Sequence, residues 1–204
     1  MIKVGLDIGN SKISCIVCDI KNNQKPEVLS FISLPTTNIN KNTFRNFKLI
    51  KKEVQEVINL AAKESQTEIK SINLNIPISD SDSEYYASEI NIENKLINEL
   101  HLKKAINQSE FFDEVIDKHI LMNLIINYEL DGKVLSEMPI GNFAKKLKIN
   151  LYKLTVNQNI INTYNHLFQD LNIHIQHMIP TPLSSALSAM NEDDMDLGGV
   201  CIDL

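Results

Sequence analysis

The nine residues from Val4 to Lys12, VGLDIGNSK, restrict the possible folds of this chain more than any other stretch. Apolar residues alternate with smaller or polar ones through the first part of the stretch, which predicts a buried β-strand. Gly9 and Asn10 then predict a turn, and an apolar run predicts a second strand over 13–20. The chain is therefore expected to begin with a β-hairpin.

The side chains of this turn are suited to phosphate oxygens. Gly9 allows close approach of the backbone to a ligand or a positive φ, while Asn10, Ser11 and Lys12 supply an amide, a hydroxyl and an ammonium donor. Asp7, at the end of the strand, presents a carboxylate to the same cleft. Gly and Asn are also common in ordinary hairpin turns, so the residues alone leave both interpretations open.

Composition excludes several classes of function. With 43% hydrophobic and 23% charged residues among 204, the chain is expected to be globular. A net charge of −6 without a basic block argues against nucleic-acid binding. Apolar runs far shorter than the ~18 residues of a membrane span, and an N-terminus that opens on a strand, favour a cytoplasmic chain.

Two cysteines three residues apart, Cys15 and Cys18, have the spacing of some redox or zinc pairs. They lie inside a predicted strand, with no further ligand residues nearby in the sequence. We therefore interpret them as structural residues.

The pattern up to residue 78 predicts three strands, an amphipathic helix and a fourth strand. The third strand is expected over 28–34, a loop over 36–46, the helix over 47–64 and the fourth strand over 71–77. This order is typical of an α/β layer.

A polar stretch, Ser79 to Glu84, marks a candidate domain boundary. Beyond it the pattern predicts a strand over 85–92, a helix over 98–108 and strands over 120–130 and 145–153, with Asp131-Gly132 as a hairpin turn. The residues 79–154 are thus predicted to form an inserted α+β module.

After the insert, the first pattern resumes. We expect a helix over 158–171, a strand over 173–179, a helix whose first residue is Pro182, an acidic loop over 191–196 and a final strand over 197–204.

Three of these stretches resemble one family. LDIGNSK, with Asn10 where relatives usually have Thr, resembles the first phosphate motif of the actin-like ATPase superfamily, and within it the FtsA family of cell-division proteins. The inserted module resembles the FtsA subdomain 1C, and LGGVCIDL at 197–204 resembles the strand before the second phosphate loop. The resemblance implies an α/β actin-like (ribonuclease H-like) half-domain with a mixed sheet. Its first lobe would span 1–78 and 155–204, around an insert at 79–154.

The resemblance also implies a nucleotide site for ATP and Mg²⁺. Gly9, Asn10, Ser11 and Lys12 would contact the phosphates, while Asp7 and Asp203 would hold Mg²⁺ through water.

No catalytic residue is expected. Thr181 occupies the position where fast actin-like ATPases have an acidic or amide residue that orients the attacking water. We therefore expect an ATP-binding scaffold with weak or no ATPase activity.

Partners follow from the same resemblance. It implies FtsZ binding through a second lobe, self-association into filaments, recruitment of later divisome proteins through the insert 79–154, and membrane contact through a C-terminal helix. Neither the second lobe nor that helix is found in the 204 residues, so we expect an N-terminal fragment of a protein that works at the cytoplasmic face of the membrane at the division site.

Two other functions stay open. PilM, an actin-like protein of type IV pilus assembly, has the same type of insert, although VLSEMPIG at 134–141 is closer to FtsA. Sugar kinases share a similar first loop, but their general-base Asp has no evident counterpart between Ser79 and Asn150.

Overall fold

The computed structural model describes residues 1–21, 25–40, 43–111 and 117–202. The chain divides into two compact units, which we call the sheet unit (Met1–Ser79 with Ile160–Leu204) and the insert unit (Asp80–Asn159). The subdomain borders expected from the sequence, 78/79 and 154/155, stay a prediction.

The first part of the sheet unit has the predicted order of three strands, a helix and a further strand, with a short hairpin before the helix. The elements are β1 (Ile2–Ile8), β2 (Lys12–Asp19), β3 (Glu27–Pro35), β4 (Ile39–Asn40), β5 (Thr43–Phe44), α1 (Phe47–Ser65) and β6 (Ser71–Ile76). The β4–β5 hairpin lies within the stretch 36–46, so the prediction of a plain loop there was wrong.

The described residues of the insert unit form a four-stranded sheet and one helix. Its elements are β7 (Ser81–Leu96), α2 (Glu99–Phe111), β8 (Lys118–Leu130), β9 (Lys133–Leu135) and β10 (Phe143–Asn157). The strand order is β7-β10-β8-β9, with antiparallel pairing throughout. Asp131 and Gly132, both at positive φ (48° and 89°), form the two-residue turn between β8 and β9, as the sequence predicts.

The chain then completes the sheet unit with α3 (Gln158–Gln169), β11 (His174–Pro180), α4 (Thr181–Ala189) and α5 (Glu192–Leu197). The five-stranded sheet has the order β11-β6-β1-β2-β3. β1, β2 and β3 are antiparallel neighbours, whereas β1, β6 and β11 run parallel to one another. The carboxyl ends of β1, β6 and β11 therefore meet at one edge of the sheet.

The two faces of this sheet differ in chemistry. Alternate residues of β1 and β6 on one face are buried and apolar: Val4, Leu6, Ile8, Ile72, Leu74 and Ile76. The buried side of α1 supplies Ile50, Val54, Val57, Ile58 and Ala61. The residues between them on β1 and β6, which include Asp7, Asn73 and Asn75, point to the other face and are half-buried. One face is thus dry and the other polar.

The helix α1 begins and ends with recognisable caps. The Asn46 side chain accepts a hydrogen bond from the Leu49 N–H at 3.2 Å, which satisfies one free donor of the first turn. Gln66, in the left-handed region at φ 53°, ends the helix. The helix predicted over 47–64 is confirmed.

Several sequence expectations near the C-terminus were wrong. The acidic stretch 191–196 is not a loop: Asn191 and Asp194 form a reciprocal capping box that starts α5. The stretch 197–204 was expected to be a strand, but its described part after α5, 198–202, has no regular structure. Pro182 is the second residue of α4 rather than the first, because the helix starts at Thr181.

The polar stretch at the start of the insert differs from the expectation in its secondary structure. Ser81–Glu84 belongs to the polar stretch that was expected to mark a boundary, yet these residues are the start of β7 and pair with the end of β10. Ladder pairing with a long neighbour outweighs the weak strand preference of Ser and Asp.

Among the described residues, no helix has the length and apolarity required to cross a bilayer.

The two ends of the insert unit lie side by side, because Ser81 pairs with Val156. We predict that replacing Asp80–Asn159 with a short Gly-Ser link leaves a folded sheet unit, since its apolar core is separate. Far-UV circular dichroism and thermal unfolding would measure this.

A control uses Leu74, which is fully buried in β6. In the deletion variant, Leu74→Ala should reduce the free energy of unfolding by about 2–5 kcal/mol if the core is packed. A deletion variant without a cooperative transition would contradict the separation of the two units.

Candidate nucleotide-phosphate site

The turn between β1 and β2 holds the four predicted phosphate ligands. Ile8 pairs with Ile13, and the Gly9 N–H donates to the Lys12 carbonyl oxygen at 2.9 Å, which closes the loop. The Ser11 carbonyl accepts from the Thr36 N–H at 2.9 Å and so ties the loop to the residue that follows β3. The loop is thus fixed by backbone bonds on both sides.

The side chains of this loop remain accessible. Asn10, Ser11 and Lys12 are exposed, whereas Gly9 is half-buried. The structure therefore brings the predicted amide, hydroxyl and ammonium donors together at one turn, facing solvent.

Gly9 is needed for space rather than for an unusual φ. It is not among the positive-φ glycines of the described chain. A Cβ at this position would lie 3.2 Å from the Lys12 carbonyl oxygen and 3.5 Å from Asp7 Oδ2. A residue with a Cβ would therefore press on the carbonyl that closes the loop, and it would be in ordinary van der Waals contact with the Asp7 carboxylate.

Asp7 lies on the polar face of the sheet, at the carboxyl edge. Its Oδ1 accepts a long hydrogen bond, 3.4 Å, from Asn75 Nδ2 on β6. The Asn75 Oδ1 in turn accepts from Ser184 Oγ on α4 at 2.7 Å. A continuous polar chain therefore runs from β1 through β6 to α4.

The first turn of α4 follows β11 directly at the same edge. Thr181 is the first residue of this helix. The N-cap residue is Pro180, which makes no side-chain capping hydrogen bond. Residues 181–186 are all half-buried, so the hydroxyl of Thr181 lies in a partly open environment. Thr181 is placed at the predicted strand-to-helix junction.

The carboxylate of Asp7 also affects a buried phenol. Tyr164 on α3 is buried, with its ring edge-on to Phe44 at 5.4 Å between centroids. Burial, with a smaller contribution from the negative charge of Asp7, raises the pKa of the Tyr164 hydroxyl. The phenol is therefore neutral at physiological pH and adds no negative charge to the site.

Sequence reasoning missed Asn75 and Ser184. Asn73 and Asn75 interrupt the apolar strand SINLNI, and two amides on one face of a parallel strand are a signal for a polar edge. Ser184 gave no such signal, because its partner lies 109 positions earlier in the chain.

Phosphate and Mg²⁺ fit the residues that are present. The exposed donors of the turn match phosphate oxygens. The described residues contain no cluster of three or more His, Cys, Asp or Glu able to hold a metal, but Mg²⁺ needs only one or two carboxylates beside phosphates and water. Asp7 can fill that role through Oδ2, while Asp203 lies outside the described residues.

Comparison with known proteins gives sequence matches along nearly the whole chain. No protein-family model matches it. The Cell division protein FtsA of Buchnera aphidicola (Acyrthosiphon pisum) is 22% identical over 201 residues, and that of Pseudomonas aeruginosa 21% over 201 residues; each match covers 98% of this chain. The chain is therefore similar to FtsA proteins along nearly its whole length. It spans about half the length of these relatives, 48% in both cases.

A solved structure shows the fold of this chain. The PilM–PilN type IV pilus biogenesis complex matches with a TM-score of 0.60 at 13% identity, over 91% of this chain and 49% of that one. The predicted α/β actin-like fold is confirmed.

The cysteine pair of this chain is structural in character. Cys15 and Cys18 are three positions apart in one strand, so their side chains point to opposite faces. Cys15 is fully buried, and burial raises its pKa to about 12 from 9.0; burial also raises the pKa of Cys18. Neither thiol has the lowered pKa of a reactive cysteine.

We predict that Cys15 reacts with a thiol reagent only after unfolding. Its thiolate is unfavourable in the fold, so raising the pH above 9.0, where an unfolded thiol ionises, favours the unfolded chain. Ellman titration of native and guanidine-unfolded protein, compared with Cys15→Ser, checks this. Compared with the wild type, Cys15→Ser should show one reactive thiol fewer in the unfolded protein and the same number in the native protein. If the native variant also showed one reactive thiol fewer than the native wild type, Cys15 would be accessible in the fold.

Proposed function

We propose that this chain forms the phosphate-binding lobe of an FtsA-like, ATP-binding scaffold of bacterial cell division. The observation that carries the proposal is the similarity to FtsA proteins over 98% of the chain. The turn at Gly9–Lys12, at the carboxyl edge of a parallel strand group, supports it, because such edges are where open α/β sheets bind ligands.

In this proposal the turn binds the phosphates of ATP. Lys12 provides the positive charge, while Asn10 and Ser11 donate hydrogen bonds to phosphate oxygens. Gly9 leaves room for close approach, because no Cβ occupies the space beside Asp7.

Asp7 is the proposed partner of Mg²⁺ on this lobe, through a water molecule. The bond from Asn75 orients its Oδ1, so Oδ2 is presented towards the turn, near Gly9. Asp203 is proposed as the second carboxylate. Bound Mg²⁺ would neutralise phosphate charge and fix the orientation of the nucleotide.

Hydrolysis is proposed to be slow. The hydroxyl of Thr181 can donate and accept a hydrogen bond, but it has no useful basicity near pH 7 and positions water weakly. ATP would then act by stabilising one conformation and its assemblies, through differential binding to that state.

The proposed partners are those of the FtsA scaffold. They are FtsZ, other copies in a filament, later divisome proteins through the insert, and the membrane through a C-terminal helix. The proposed location is the cytoplasmic face of the membrane at the division site. Because the chain spans about half of its relatives, a second lobe would carry the contact with FtsZ.

A second candidate is a PilM-like scaffold of pilus assembly. The TM-score of 0.60 to the PilM–PilN complex favours it as far as the fold is concerned. We prefer the FtsA-like function because the sequence matches quoted above carry that name. Whether the longest natural form of the protein co-purifies with FtsZ or with pilus proteins from its own cells would distinguish the two.

We predict that the 204-residue chain alone binds Mg-ATP weakly, with a Kd no tighter than about 10 µM, because ligand sites normally bury most of their ligand and this lobe supplies the phosphate side. Calorimetric titration measures it. Lys12→Ala should weaken binding about tenfold through loss of the charged contact.

Lys21→Ala is the matched control. Lys21 pairs with Glu27 at 2.9 Å, beyond the opposite end of β2. This variant should bind like the wild type. Sub-micromolar binding by the wild type, or equal loss in both variants, would contradict the proposed site.

We predict that Thr181→Glu raises ATP turnover in the longest natural form of the protein. A carboxylate there could orient and partly deprotonate water, an effect typically worth about 10²–10⁴ in rate. Phosphate release would be measured for both proteins, with Ser188→Glu on the exposed side of α4 as the control. If the wild type hydrolysed several ATP per second and Thr181→Glu slowed it, the hypothesis of a slowly hydrolysing scaffold would be wrong.

A further inference from the structure

One edge of the insert sheet is open over most of its length. β8 pairs with β10 from Lys118 to Leu130. On its other side, β9 pairs only with Tyr128, Glu129 and Leu130. Among the described residues nothing pairs with the outer edge of 118–127, so its outward backbone donors and acceptors are available to another strand.

This edge lacks the charges that usually protect an open strand. From Ile120 to Asn127, ILMNLIIN, there is no ionisable side chain. The opposite edge of the same sheet, β7, is protected by Asp82, Glu84, Glu89, Glu93 and Lys95. Charged side chains on edge strands oppose pairing with another chain. The β7 edge therefore disfavours an added strand, whereas the β8 edge does not.

The open edge is also apolar on both faces. Leu124 is 44% exposed and lies beside Tyr152 on one face; Ile125 is 37% exposed and lies beside Leu151 on the other. Ile126 is 49% exposed. A strand added here would cover apolar surface above and below the sheet, in addition to forming backbone hydrogen bonds.

The pairing with β10 shows where such a strand could lie. The register shifts between Ile125 and Asn127 and again between Ile120 and Met122, so Ile126 and Leu121 are bulged. Met122–Ile125 is regular between them. β9 occupies the edge from Tyr128 onward. A new strand can therefore pair with Leu121–Asn127, which is about 24 Å long.

We propose that the occupant is a second copy of this chain, paired antiparallel along β8. A two-fold axis perpendicular to the sheet at Leu124 puts Leu124 opposite its own copy and Met122 opposite Ile126. These pairs join apolar residues and bring no like charges together. The product is an eight-stranded sheet with both α2 helices on one face.

The two-fold arrangement agrees with the bulge at Leu121. In this register Ile120 of one copy would lie opposite Tyr128 of the other, which already pairs with β9. The strand therefore has to diverge before Leu121. A bulge bends a strand at the position where it occurs. The divergence therefore falls where β8 already departs from regular pairing.

This dimer does not depend on the proposed nucleotide site. The residues of the edge belong to the insert unit, whereas the phosphate turn belongs to the sheet unit. We expect the same association with and without Mg-ATP, so failure of one proposal leaves the other testable.

Sedimentation equilibrium of the 204-residue chain, from about 1 to 200 µM, tests the proposal. A short interface of this kind predicts a micromolar Kd. Leu124→Glu and Leu124→Lys should each weaken association at least about tenfold, because like charges then face each other at the axis. An equimolar mixture of the two variants should dimerise again, since the charges are complementary.

Tyr85→Glu is the matched control. Tyr85 is 78% exposed on β7, at the protected edge, and should not affect association. A wild type that stays monomeric throughout, a Leu124→Glu variant that dimerises like the wild type, or a charge-swapped mixture that stays monomeric would each overturn the proposal. Restored association in the mixture also shows that the variants are folded.

Discussion

The position of β1 at the centre of the sheet is the constraint on which the rest of the sheet unit depends. The strand pairs antiparallel with β2 on one side and parallel with β6 on the other. Its apolar residues are buried under one face, and the two-residue period of a strand then fixes Asp7 on the opposite face. A shift of one residue would bury that carboxylate and expose the core side chains. The location of the site is thus set by burial.

The sequence predicted the strongly patterned elements well. The alternation in β1 and the apolar stripe of α1 are periodic over their full length, and tertiary packing reinforces such patterns. The short β4–β5 hairpin has two residues in each strand, which is too few for any period to show. The helix α5 was missed for another reason: its acidic composition suggested a loop, although Asn191 and Asp194 have capping-box spacing.

The candidate site was predictable only in its local part. Gly9 to Lys12 are consecutive, so one stretch of sequence contains them all. Asn75 bonds to Asp7, and Ser184 bonds to Asn75, because β1, β6 and β11 lie parallel in one sheet. That arrangement depends on crossover connections rather than on nearby residues. Register between parallel strands is set by packing across the whole sheet, and this information is spread over the chain.

The polar face explains how α4 is attached to the sheet. No residue of α4 is fully buried, although the helix contains several apolar side chains. Lys3, Asp7, Asn73 and Asn75 make this face unsuitable for dry packing, and Lys3 Nζ instead donates to Gln176 on β11 at 3.3 Å. The bond from Ser184 to Asn75 is a specific link between α4 and the sheet.

An amide at position 75 can donate to Asp7 and accept from Ser184 at the same time, which neither a carboxylate nor an apolar residue could do. The geometry of Asp7 and the position of α4 are therefore coupled through one side chain. A change in the hydrogen bonding of Asp7 would therefore reach the first turns of α4 through these two bonds.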